Sequence, residues 1–104
     1  MNIYLAERHK DERGATVEVN GGPLDPRLDL RNHSPDGFEW GYGGSGPAQL
    51  ALAILANEMG DEFALEHYQK FKDDFIAPMQ DGDWGLESTS IQEWSVQFIN
   101  QSND

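Results

Sequence analysis

The chain has no cysteine, which excludes disulfides and every thiolate metal site. Basic residues are scarce: seven Lys and Arg stand against nineteen Asp and Glu, a net charge of −12. Neutralising phosphates takes Lys and Arg, so direct nucleic-acid binding is disfavoured, and an anionic membrane surface is disfavoured for the same reason. Long apolar runs are also missing. No stretch approaches the roughly 20 apolar residues that span a bilayer, and the opening "MNIYLAERHKDERG" puts charges where a secretory segment needs an apolar run. The expectation is a cytoplasmic protein with no direct contact to nucleic acid or membrane.

What is present suits a folded domain. The 104 residues match one ordinary domain, here 1–104, and 38% are apolar, with eleven aromatics. Disordered acidic tails lack such aromatics. The charge is lopsided. Residues 1–31 hold five bases and six acids, whereas residues 32–104 hold two bases and thirteen acids. A basic protein surface is the natural complement, and long-range attraction would speed that encounter. Solubility, or life in a salty cytoplasm, would account for the same excess.

The apolar spacing predicts an α+β protein: a small N-terminal antiparallel sheet or hairpin packed on three helices. "IYL" at 3–5 and "TVEV" at 16–19 read as paired strands across a charged connection. Pro23 and Pro26 rule out a central strand, so 23–37 is expected to cross the core as an irregular arm on Leu24, Leu28 and Leu30. The first helix is placed at about 47–58, with Pro47 at its first position, Ser45 or Gly46 as cap and Gly60 closing it. It is apolar all round, the mark of a buried helix. The second runs about 61–79 from an Asp61 cap, with Ala64, Tyr68, Phe71, Phe75 and Met79 on one buried face. "DGDWGL" at 81–86 is a turn into a short strand. A third helix, about 91–100, starts at a Ser90–Glu93 capping box and buries Ile91, Trp94 and Phe98.

The unusual stretch is "FEWGYGGSGPAQLALAIL", residues 38–55. Glycines ahead of a helix can turn backbone N–H groups toward an anion. A phosphate loop of the GxxxxGK[ST] type, however, ends in Lys and a hydroxyl, and Pro and Ala stand there instead. The packing reading lets glycines 41, 43, 44 and 46 fold the chain tightly around Trp40 and Tyr42. A third reading exposes those aromatics as anchors for a partner. Other candidate sites are thin. His33, Asp36 and Glu39 could meet in space as a metal triad, but their spacing matches no metal motif. Asp81, Asp83 and Glu87 miss the EF-hand pattern. Ser45 with His33 lacks a nucleophile elbow. No catalytic residue, metal or cofactor is assigned.

"GFEWGYGGSGPAQLALAIL", "HYQKFKDDFIAPM" and "DWGLESTSIQEW" together resemble a family of short proteins of bacteria, archaea and their viruses and plasmids, a domain of unknown function, over about residues 3–100. The resemblance hands over no catalytic residues and implies a mobile-element setting, where small acidic proteins often inhibit host defence complexes. The leading expectation is a non-catalytic acidic interaction protein. Glu62, Glu66, Asp73, Asp74, Asp81 and Asp83, with Trp40 and Tyr42, would meet a basic, nucleic-acid-binding partner and imitate the phosphate backbone. The alternative is a small-ligand or anion-binding module, or a minor enzyme, built on the loop 38–47.

Overall fold

A computed structural model of the chain, described over residues 1–99, places a four-stranded antiparallel sheet against three helices. The strands are β1 (Ile3–Arg8), β2 (Ala15–Val19), β3 (Gly22–Pro23) and β4 (Trp84–Glu87), in the order β3-β2-β1-β4. The α+β expectation therefore holds, including the short strand after "DGD". β1 alternates: Tyr4 and Ala6 are buried, while Ile3, Leu5 and Glu7 face out, as a half-buried strand must. Pro23 sits on the two-residue edge strand, where its missing N–H interrupts no central ladder.

Helix α1 (Ser45–Met59) is the central element. Leu50, Leu52, Ile54 and Leu55 are all fully buried, and its alanines fill the gaps between neighbours. It starts earlier than the sequence suggests, with Gly44 as cap and no capping side chain. Neither Ser45 nor Gly46 therefore serves as the cap. Pro47 is its third residue, still inside the first turn, where no intrahelical acceptor waits for an N–H. Gly60 closes α1 as expected: its φ of 92° is a conformation that side chains resist, and its N–H bonds Ala56 O at 3.1 Å.

The same Gly60 opens helix α2 (Asp61–Phe71), so Asp61 is the first helical residue and makes no capping hydrogen bond. Its carboxylate is taken by Arg27, whose Nη1 and Nη2 reach the two oxygens at 2.8 and 2.9 Å. After Phe71 the helix widens into a π-helix over Lys72–Ile76, with the Ala77 N–H on Lys72 O at 2.8 Å. The wide turn inserts one residue into the repeat. Ile76 is therefore the buried residue and Phe75 only half-buried, and the helix stops short of the expected 79.

Helix α3 (Ser88–Ile99) begins before Ser90. The Ser90–Glu93 capping box does not form, because both residues are already helical. Ser88 does the anchoring: its N–H bonds Asn2 O at 2.9 Å and its hydroxyl bonds Glu58 at 2.8 Å. Ile91 and Ser95 are buried, Trp94 and Phe98 half-buried, and residue 100 of the expected helix lies outside the described residues. Trp94 packs edge-on against Phe71 at 5.1 Å, and His67 stacks on Phe98 at 4.0 Å. These rings join α3 to α2.

Residues 24–44 form neither strand nor helix, and one side chain ties their stretch from Pro26 to Ser34 to the core. Gln49 is fully buried in α1. Its Oε1 accepts the N–H groups of His33 (2.7 Å) and Ser34 (3.1 Å), and its Nε2 donates to the carbonyls of Pro26 and Arg31. An arm without a ladder of its own must satisfy its backbone elsewhere, and this amide supplies four such bonds. Leu24 is buried and Leu30 packs on the core, but Leu28, expected beside them, stays exposed.

Candidate functional site

The glycine stretch is a clasp. Trp40 is only 1% exposed. Its Nε1 donates to Gly82 O at 3.0 Å, its ring meets Trp84 edge-on at 5.7 Å, and the Arg8 guanidinium lies 4.2 Å above it. Arg8 then bonds Glu39 at 2.9 Å and Asp81 at 3.0 Å, which ties β1, the loop and the 81–83 turn together. Gly41 takes a φ of 86° and its N–H bonds Ile76 O at 3.0 Å, the carbonyl that ends the π-helix. A β-carbon on Gly46 would sit 2.7 Å from Glu39 Cβ, so an acidic side chain lies flat against the start of α1. Gly46 and Gly41 serve close packing here, whereas a β-carbon on Gly43 would meet nothing within 4 Å. Tyr42, 51% exposed, is the loop's outward aromatic, whereas Trp40 offers a partner no surface.

The six acids sort into two groups by their partners. Asp81 pairs with Arg8, and Asp83 Oδ1 accepts the Arg8 backbone N–H at 2.8 Å. Asp73 lies 3.6 Å from Lys72. Asp74 accepts the Trp94 indole N–H at 2.8 Å and pairs with Lys70 at 3.2 Å. The Trp94 bond, with help from Lys70, holds the Asp74 carboxyl below the usual carboxylate range against the opposing effect of burial. These four, though exposed, each meet an Arg, Lys or Trp donor of the chain itself. Glu62 and Glu66 meet none of these. Among the described residues Glu62 makes no hydrogen bond or ion pair, and Glu66 meets only the His67 ring, at 3.4 Å. Both line a shallow depression of about 340 Å³ with Met59 and Phe63. Its floor is half-buried and apolar, and two exposed carboxylates one helical turn apart stand on its rim. Such a surface can hold a cationic side chain: the stem lies on Met59 and Phe63, and the charge sits between the carboxylates.

The other candidates are pulled apart. His33 Nε2 hydrogen-bonds the Tyr68 hydroxyl at 2.7 Å and Glu39 belongs to Arg8, so His33, Asp36 and Glu39 do not assemble. Among the described residues no three His, Asp or Glu side chains are grouped to hold a metal ion. Ser45 is exposed at the helix start. Among the same residues no helix is long and apolar enough to cross a membrane.

Two polar centres escaped the sequence reading. One is Gln49, whose signal was present: it is the lone polar side chain in a run of apolar ones. The other is Glu58. Its Oε1 accepts Asn2 Nδ2 (3.0 Å), the Tyr4 hydroxyl (3.0 Å) and the Ser88 hydroxyl (2.8 Å), and its Oε2 accepts Gln92 Nε2 at 2.9 Å. Burial pushes this carboxyl up, but those hydrogen bonds together outweigh burial and leave it below the usual range. Tyr4, buried beside the charged Glu58, is pushed up to about 12, although a bond from Asn57 opposes the rise. Nothing local in the sequence distinguishes Glu58 from any exposed acid at a helix end.

Fold and surface together define a small acidic α+β protein with a clasped glycine loop and an acid-rimmed apolar depression on its second helix. The chain belongs to a family of unknown function, DUF6166, whose model matches residues 4–97. No curated protein and no solved structure matches it.

Proposed function

We propose that this protein is a non-catalytic interaction module that acts in the cytoplasm by occupying the basic groove of a nucleic-acid-binding protein. The supporting observation is the Glu62–Glu66 pair, two exposed carboxylates beside an apolar floor that meet no Lys or Arg among the described residues, Glu66 touching only the His67 ring. Four residues along a helix rise about 6 Å, comparable to the spacing of neighbouring phosphates on one strand, so the pair can stand in for two phosphates. The remaining negative charge supplies long-range attraction, and Tyr42 adds an exposed aromatic contact. In a virus- or plasmid-encoded setting, such mimicry would inhibit a host complex that handles nucleic acid.

The test is affinity capture from the native host with the tagged chain, followed by salt washes and competition with duplex DNA. The expected partner carries a basic groove, is released by salt and by DNA, and is not captured by the double variant Glu62→Lys, Glu66→Lys. A partner without such a groove, or capture indifferent to salt and DNA, overturns the reading.

A further inference from the structure

A second surface, on the opposite side of the sheet from the helices, has its own chemistry. β4 is an edge strand, paired with β1 on one side only. The Ser88 N–H bonds Asn2 O at 2.9 Å, and Ile3 O accepts the Asn20 N–H at 3.1 Å. Even-numbered residues of β1 therefore bond toward β4 and odd-numbered ones toward β2, as an antiparallel ladder requires. By the same alternation, Gly85 and Glu87 turn their backbone N–H groups to the free edge, and both are exposed. Beside this edge the outer face carries exposed Ile3 and Leu5, with Glu18 opposite Leu5 and Glu87 opposite Ile3. A depression of about 350 Å³ adjoins it, lined by Leu5, Ala6, Glu7, Asp83 and by Trp84, whose buried Nε1–H has no acceptor among the described residues.

We infer that the β4 edge is a docking site for an extended, basic segment of a partner protein, which adds as a fifth strand. Backbone bonds to Gly85 and Glu87 would supply the pairing, and alternate Lys or Arg side chains would lie along Leu5 toward Glu7, Asp83 and Glu87. A second copy of this chain fits the edge badly. Two β4 strands paired antiparallel about Gly85 would set Asp83 opposite Glu87, and like charges directly opposed destabilise a sheet. A basic strand reverses that sign. The inference concerns a different surface from the depression on α2 and stands or falls separately.

The test uses the intact chain and the end-blocked peptide KVKVKVK, with a counterpart of identical charge methylated at every backbone nitrogen. The expected result is slowed amide exchange at Gly85 and Glu87 on adding the first peptide. The methylated peptide should bind at least tenfold more weakly, and Glu87→Lys should lower affinity for the first peptide. Equal binding of the two peptides would mean charge alone acts and would overturn the inference, as would no binding. Protection confined to α2 would overturn it and leave the proposed function intact. Concentration-dependent self-association that protects the same two amides would assign the edge to a second copy and overturn it too.

Discussion

Glu58 and Glu62 are four residues apart, in the last turn of one helix and the first turn of the next, and they lead opposite lives. Glu58 accepts four hydrogen bonds, from Asn2 and Tyr4 at the N-terminus and from Ser88 and Gln92 of α3, while Glu62 accepts none among the described residues. The first carboxylate joins three parts of the fold. The second faces solvent over an apolar floor. A net charge of −12 hides this division. What separates a structural acid from one available to a partner is whether the chain itself supplies donors. The Arg8 clasp repeats the lesson, because it pairs with Glu39 and with Asp81, although Asp81 remains at the surface.

That comparison breaks first at Gln49, the most heavily used polar side chain in the interior. Gln49→Leu keeps the volume but leaves two N–H groups and two carbonyls of the arm without partners. A buried polar group left unpaired costs about 1–3 kcal/mol, so a loss of roughly 3 kcal/mol or more is expected, measured by urea unfolding. A loss under about 1 kcal/mol would show that water replaces the amide and that the arm is held elsewhere.

Glu58→Gln should cost less, about 2 kcal/mol, since charge-assisted bonds are replaced rather than abolished. Its signature is in pH. The folded carboxyl is held below its unfolded value of about 4.3. Its stabilisation is thus present above that value and lost as pH falls through the folded one. Tyr4 sets the opposite limit. Its hydroxyl rises from 10.0 to about 12 on folding, so the stability it contributes is full below 10 and lost as pH climbs toward 12. Unfolding midpoints measured from pH 3 to 11 should fall at both ends in the wild type. The acid limb should flatten in Glu58→Gln.

Gly46→Ala addresses the glycine clasp. The added β-carbon would meet Glu39 Cβ at 2.7 Å, a rigid part of the side chain, so the loop must shift. A loss of about 1–3 kcal/mol is expected, in line with overpacked sites, and Gly43→Ala should cost less because its β-carbon would meet nothing within 4 Å. Equal losses at the two positions would mean that chain flexibility, and not close packing, explains the glycines.

The apolar pattern carried much of this architecture and stopped at definite places. The apolar run after Pro47 forecast the buried central helix, and "TVEV" forecast β2, because each signal is repeated over several residues. The π-turn was invisible, since one extra residue in the repeat leaves no mark on a pattern already tolerant of spacings of three and four. Asp61 and Ser90 are both sound caps in isolation. They failed because a glycine in one case, and a serine bonded to Asn2 and Glu58 in the other, started the helix first. The candidate site was half legible. That Glu62 and Glu66 share a helix face follows from their spacing, and Lys72 beside Asp73 and Lys70 four residues before Asp74 are local neighbours. The Trp94 bond to Asp74 and the Arg8 contacts with Asp81 and Asp83 reach across the fold, and no local window contains them.

The smallest expected effect on stability belongs to the pair that matters most for the proposed role. Glu62→Gln with Glu66→Gln removes two exposed charges whose one contact among the described residues is Glu66 with the His67 ring, a surface pair worth little, so unfolding free energy should stay within about 0.5 kcal/mol of wild type. Relief of mutual repulsion one turn apart could even raise it slightly. Binding to a basic partner should move much further, with a weaker salt dependence because two fewer charges meet the groove. The informative outcome is the separation of the two readouts. Stability lost together with binding would make the pair a structural feature like Glu58, and the contrast between the two helix ends would vanish. Stability kept and binding reduced would place the working surface on α2.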